Sequence, residues 1–245
     1  MKRLNLISIL IFSSVLMLSL ASCENKKKTE SKDADSQKEV STEKGERKII
    51  FENDYAQVIS IKLDVGEFIS PPGGKGKDRV IYSLSDYTLD RDKGDGEMES
   101  KTWKENEVHF HEAGNHYVKN TGNTTAEWLV FVKKTDDLPE CSENKLDNDV
   151  HSITPDFSQK LFENDDFKVT KVILTEGKSI PMHSGINRII YSLNDYQISY
   201  ESDKEETVEK TFQKDDIHWH EACKHAMQNI GNSEAKFLVV SFKKK

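Results

Sequence analysis

Apolar and polar positions along this chain follow a period of two, not the 3.6 of a helix. Ile59, Ile61 and Leu63 alternate with Ser60, Lys62 and Asp64, the pattern of a strand with one buried face. Comparable runs cover Val58–Leu63, Arg79–Leu84, Lys101–Lys104 and Glu127–Val132, then Val169–Leu174, Arg188–Leu193, Val208–Phe212 and Lys236–Phe242, with turn residues between them. Trp128-Leu-Val-Phe-Val132 and Phe237-Leu-Val-Val240 are apolar at every position. Such strands are predicted to be covered on both faces, by their own core and by a neighbouring unit. Many short strands at regular spacing predict an all-β sandwich or jelly-roll barrel.

The pattern occurs twice. Phe51-Glu-Asn-Asp54, Arg79-Val-Ile-Tyr-Ser-Leu-Ser-Asp-Tyr87 and His109-Phe-His-Glu-Ala-Gly-Asn-His116 return as Phe162-Glu-Asn-Asp165, Arg188-Ile-Ile-Tyr-Ser-Leu-Asn-Asp-Tyr196 and His218-Trp-His-Glu-Ala-Cys-Lys-His225. Seven of the eight histidines fall in these two copies, and only His151 lies between them. Each copy is too long for one blade or one solenoid turn, so the chain reads as two homologous units in tandem. The boundaries are residues 47–134 and 159–245. Residues 135–158, acidic and holding Pro139 and Pro155, form the linker.

The N-terminal end reads as targeting rather than fold. A basic Met1-Lys-Arg3 precedes an apolar Leu4–Leu20, too short for a membrane span and closely followed by polar sequence. Leu20-Ala-Ser-Cys23 resembles the bacterial lipoprotein box. The resemblance implies removal of residues 1–22, lipid on Cys23 and attachment to a membrane of the bacterial envelope, facing the periplasm or the cell surface. Each buried methylene contributes about 0.8 kcal/mol, so several acyl chains anchor firmly. Residues 23–46 carry almost no large apolar side chains, and are expected to be a disordered tether. Loss of Lys2 and Arg3 would take the formal charge from −8 to −10, which excludes nucleic acid as an expected partner. With Cys23 lipidated, Cys141 and Cys223 remain. A bridge between them is open, but linker placement favours two separate thiols.

These residues resemble the cupin superfamily in its two-domain, bicupin form. The family's second motif ends in His-x3-Asn, and His116…Asn120 and His225…Asn229 both match. Its first motif is partly met by Gly177, five residues, His183-Ser-Gly185. The stretch His183-Ser…Ile-Ile-Tyr-Ser-Leu-Asn-Asp195 is also similar to short cupins associated with β-alanine breakdown. The resemblance implies two small double-stranded barrels packed about a pseudo-twofold, each with its pocket between the two motifs. Departures matter as much. The family's second ligand histidine is Gly185 here, and its glutamate position holds Arg188. In the first unit the His183 equivalent falls in Pro71-Pro-Gly-Gly74, and Arg79 again stands in the glutamate position.

An arginine cannot ligate a cation, so the family's usual metal centre is not expected in unit one. In unit two, His183, His225 and His220 (or His218) could hold Zn, Fe, Ni or Cu. Alternatively, inward-facing Arg79 and Arg188 offer a donor fork for a carboxylate or phosphate, with His116, Tyr82, Tyr191 and Trp219 lining the pockets. A third possibility pairs Arg79 with Glu112 and Arg188 with Glu221, and the repetition of both partners favours it. Asp90–Gly96 is acidic but fails calcium-loop spacing, and reads as a hairpin loop. Three functions remain: a lipid-tethered module binding a small anionic or sugar-like ligand, a metal-dependent oxygenase, isomerase or lyase working from unit two, and a scaffold with closed barrels. The first is preferred, on the depleted ligand set and the arginine position.

Overall fold

The computed structural model describes residues 45–70, 76–92, 97–114, 117–141, 145–204, 206–221 and 223–244. His116 and Cys23 lie outside them. Among the described residues, eighteen strands form two copies of one barrel. Barrel one uses β1 (Glu46–Glu52), β2 (Ala56–Leu63), β3 (Phe68–Ile69), β4 (Arg79–Ser83), β5 (Tyr87–Asp92), β6 (Met98–Trp103), β7 (Val108–His111), β8 (Val118–Asn120) and β9 (Ala126–Lys133). Barrel two uses β10 (Ser158–Glu163), β11 (Phe167–Leu174), β12 (Ser179–His183), β13 (Arg188–Ser192), β14 (Tyr196–Ser202), β15 (Val208–Phe212), β16 (Ile217–His220), β17 (His225–Asn229) and β18 (Ala235–Phe242). Each has a five-stranded and a four-stranded antiparallel sheet, ordered β1-β2-β9-β4-β7 with β3-β8-β5-β6, and β10-β11-β18-β13-β16 with β12-β17-β14-β15. The second pair of orders is the first shifted by nine strands, so the repeat in sequence is a repeat in topology.

The doubly apolar strands behave as their pattern predicts. Trp128 and Val130 of β9 face the interior of barrel one, while Leu129 and Phe131 face the other way. In β18, Phe237 and Val239 face the interior of barrel two, and Leu238, Val240 and Phe242 face outward. The outward sets meet in one apolar layer between the five-stranded sheets, with Val58, Val80 and Tyr82 from barrel one and Val169, Ile189 and Tyr191 from barrel two. Equivalent positions from each copy supply it. At roughly 1.5–3 kcal/mol per large buried side chain, this layer far outweighs surface ion pairs worth about 0–1 kcal/mol. The barrels therefore form one compact unit.

Shared residues build shared corners. Asn120 and Asn229, the asparagines of His-x3-Asn, are fully buried. Asn229 donates to the Leu174 and Ser233 carbonyls at 2.8 and 2.7 Å and accepts from the Gly231 amide; Asn120 does the same with Leu63, Thr124 and Gly122. Their role is structural. In Phe51-Glu-Asn-Asp54 and its twin, Asn53 and Asn164 each accept two backbone amides and close the first turn, and Lys134 and Lys243 clamp those turns. β5 and β6 pair antiparallel as far as Asp92 and Met98, while residues 93–96 of the acidic stretch lie outside the described residues.

The linker is not a loose connector. A short helix, α1 (Val150–Ile153), is capped by Asp149, whose carboxylate accepts from the Ser152 amide at 3.0 Å. Val150 is buried in the core of barrel two with Ile153 and Phe157 packed beside it. Asp149 also pairs with buried Lys168 at 2.6 Å. Cys141 and Cys223 are disulfide-bonded, with Cα atoms 5.7 Å apart. This corrects the expectation of two free thiols: the linker is folded against barrel two, and that brings the cysteines together.

Candidate functional site in barrel two

Strand alternation sorts the candidate residues. Arg188 and Ile190 of β13 point into barrel two, so Ile189 and Tyr191 point between the barrels. Tyr82 does likewise on β4. Their hydroxyls donate to Asn106 at 2.6 Å and Asp215 at 2.5 Å, turn residues held at positive φ of 69° and 70°, which Asn and Asp tolerate. Tyr82 and Tyr191 are thus walls of the inter-barrel layer and not of the barrel pockets. Trp219 stacks on Tyr55 of barrel one at 5.5 Å and packs on Phe242, yet it is also among the residues lining the barrel-two cavity, with His218 and His220.

The expected ion pairs do not form. Arg188 lies in register with His220, so Glu221 falls one residue past the strand and turns to solvent, pairing with Lys204 at 2.9 Å. Among the described residues, Arg79 donates to the backbone carbonyls of Lys77 and Glu112, at 3.1 and 3.4 Å. Arg188 donates to the Ile186 carbonyl at 2.9 Å. Arg79 is half-buried, while Arg188 is 3% exposed, because α1 closes the end of barrel two. Among the described residues no carboxylate pairs with the Arg188 guanidinium. Burial pulls its pKa down to about 10, and Asp149, already engaged by Lys168, is too committed to neutralise it fully.

Four histidines gather around this cation. Ring centroids of His183 and His225 are 4.1 Å apart, His220 and His225 4.5 Å, His218 and His220 6.2 Å. Burial lowers all four; His183 and His218 fall to about 4, and His220 and His225, next to Arg188, fall well below the usual value. They are neutral imidazoles at pH 7. The Nδ1–H of His183 donates to the Pro181 carbonyl at 2.9 Å. Arg188 Nη2 lies 3.1 Å from Nδ1 and 3.2 Å from Nε2 of His225, and Nδ1 is also 3.3 Å from the Cys223 carbonyl.

That arrangement does not fit the metal implied by the family resemblance. A guanidinium lies against both ring nitrogens of His225. A Cβ added to Gly185, the second histidine position of the family pattern, would lie 2.8 Å from Arg188 Nη1. The arginine therefore fills the ligand's room as well as opposing its charge. Among the described residues no cluster of three His, Cys, Asp or Glu side chains is arranged to hold a metal ion.

Beside the centre lies a cavity of about 380 Å³ inside barrel two. Tyr196, Tyr200, Phe212, Phe237, Ile198 and Met227 supply its apolar walls, and His218, His220 and His225 its polar one. Lys210 sits 4.0 Å over the Tyr200 ring near the mouth, and Lys204, Glu221 and Cys223 form the rim. A second, small cavity of about 20 Å³ holds Arg188, His183 and Asp149. His225 lines both, and so stands between Arg188 and the larger space. Sequence reasoning missed the four aromatic walls, Lys210 and Lys168. Position-by-position comparison of the two copies was the available signal for the aromatics.

Neither a protein-family model nor a curated protein sequence matches the chain. Solved structures do. AerE from Microcystis aeruginosa matches with a TM-score of 0.59 at 16% identity, over 81% of this chain and 92% of that one. A tryptophan-to-tyrosine variant of oxalate decarboxylase from Bacillus subtilis matches with 0.56 at 11% identity, over 82% and 73%. A cupin 2 conserved barrel domain protein from Leptotrichia buccalis gives 0.49 at 15%, over 83% and 91%. The same decarboxylase has been studied for its Mn(II) centres, in a structure with a TM-score of 0.52 at 11% identity, over 78% and 70%. At these identities the likeness to the AerE and oxalate decarboxylase structures shows the fold alone: two tandem jelly-roll barrels.

Proposed function

We propose that barrel two binds a small anionic or sugar-like ligand, and that lipid on Cys23 holds the chain at the bacterial envelope. The buried centre carries the argument. Arg188, Lys168 and Asp149 leave one net positive charge among four neutral imidazoles, and an anion in the adjoining cavity would offset it. That favours the anionic class over the sugar-like one. The walls of ring and aliphatic side chains call for an apolar or cyclic body, and the imidazoles for acceptors or donors on it. The anchor and the envelope location rest on the sequence around Cys23 alone.

Thermal shift with benzoate, glucose and a transition-metal series tests this. A ligand binding only the folded state at one hundred times its Kd stabilises by about 2.7 kcal/mol, so benzoate should raise Tm and glucose should raise it less. A rise with glucose alone would replace the anionic reading.

A metal-dependent oxygenase, isomerase or lyase in barrel two is the second reading. The closeness of His183, His220 and His225 supports it, and Arg188 opposes it, since the guanidinium would have to leave His225. Elemental analysis of purified protein decides: one equivalent of metal, lost in His183→Ala, would install this reading in place of the first.

A further inference from the structure

The registers of the two barrels superpose residue on residue, which allows their interiors to be compared position by position. Trp103 pairs with Tyr87 on β5 as Phe212 pairs with Tyr196 on β14. Trp128 pairs with Ser83 as Phe237 pairs with Ser192. Ring packing repeats with them. Tyr87 meets Trp103 and Trp128 at 5.6 and 5.4 Å, and Tyr196 meets Phe212 and Phe237 at 5.0 and 5.6 Å. Trp103 stacks on His109 at 4.7 Å, and Phe212 on His218 at 5.2 Å. At both phenylalanine positions that wall the barrel-two cavity, barrel one carries the larger indole.

Depth differs at one of the two positions. Trp103 is 5% exposed, whereas Phe212 is only half-buried at the cavity's edge; Trp128 and Phe237 are both buried. A third difference lies near the mouth. Leu89 and Ile198 hold matching places opposite Asn120 and Asn229, which puts Arg91 where barrel two has Tyr200. Arg91 lies 3.5 Å from His111 and pairs with Glu99 at 3.6 Å. Tyr200 instead lines the open cavity beneath Lys210.

We infer that Trp103 and Trp128 are stoppers that close barrel one, and that Phe212 and Phe237 keep barrel two open and set the girth of what enters, so that one chain takes one ligand. This deepens the barrel-two reading, on which its consequence for stoichiometry rests. Its physical content is separate: ring size at two inward positions decides which barrel has room. Close-packed interiors respond to a change of a single ring in this way, because neighbours give only partly.

Xenon, which enters apolar cavities whatever their charge, supplies a test free of any assumption about the ligand. Xenon NMR on the full chain should show a site in barrel two and none in barrel one. Phe212→Trp or Phe237→Trp should abolish the barrel-two site, and the double variant Trp103→Phe/Trp128→Phe should create a site in barrel one. Xenon in barrel one of the unaltered chain would overturn the inference. So would a double variant that folds and gains no site, even if both phenylalanine variants fail to fold. If benzoate does not bind but xenon follows this pattern, the ligand reading fails and the stoppers stand.

Discussion

Barrel one and barrel two share Asn120 and Asn229, Asn53 and Asn164, Lys134 and Lys243, and the Ser83–Tyr87 and Ser192–Tyr196 hydroxyl contacts of 2.9 and 3.2 Å. They differ at Trp103 and Phe212, Trp128 and Phe237, Arg91 and Tyr200, Gly114 and Cys223, and in what lies over the arginine. The first set closes turns and corners. The second set lines or covers an interior. In this tandem repeat, then, the shared asparagines, lysines and hydroxyl pairs serve the fold, and the positions in which the copies part set what each interior can hold. His225 belongs to the shared set by position, yet its surroundings in barrel two, with Arg188 sealed under α1, give it a setting that half-buried Arg79 does not share.

The comparison breaks most severely if the barrels separate. Leu238→Ala removes a fully buried side chain from the layer between them, and should cost about 2–5 kcal/mol. Loss of both barrels in one transition, seen by calorimetry, is the expected result; two transitions would mean independent domains. Next comes the Cys141–Cys223 bridge, which barrel one lacks. Reduction or Cys223→Ser should lower stability by roughly 2–4 kcal/mol, and hydrogen exchange should rise first in residues 145–153 and around Cys223, leaving barrel one protected. Equal exchange in both barrels would remove the asymmetry.

Acid should act chiefly on barrel two, which holds four of the five lowered histidines, with His109 in barrel one. His183 and His218 have folded values near 4 and His109 near 3, with His220 and His225 well below the usual value, all through burial first. The unfolded chain binds protons at these residues that the folded chain refuses. Stability is therefore complete above pH 6.5 and declines as pH falls toward 4. Denaturant melts at pH 7 and pH 5 check this, and equal stabilities would contradict the neutral, buried imidazoles. Smallest in stability is Arg188→Met, which exchanges a desolvated cation for an apolar chain and should shift stability by about 1 kcal/mol at most. It should nevertheless cost at least about tenfold, or 1.4 kcal/mol, in benzoate affinity, while Arg79→Met leaves affinity unchanged.

Much of the fold was legible in one dimension. The period-two runs marked strands, the doubly apolar β9 and β18 announced the inter-barrel layer, and the repeat announced two barrels. The centre was legible only in part. His183, His220 and His225 do gather beside Arg188, as motif positions suggest. Tyr82 and Tyr191 were placed on the wrong face because alternation says that neighbours in a strand diverge but not which face is the pocket when both are apolar. Glu112 and Glu221 looked like partners for the arginines because they are repeated, yet one residue past a strand end is enough to turn a side chain outward. The Cys141–Cys223 bond depended on how the linker packs, which no local pattern records. His116 lies outside the described residues.

The most direct test of the account is histidine-selective NMR during a benzoate titration. Resonances of His218, His220 and His225 should move together with one binding constant, while those of His109 and His111 stay fixed. Equal movement of His109 and His111, or no movement of the barrel-two set at saturating benzoate, would contradict a single anion-binding barrel.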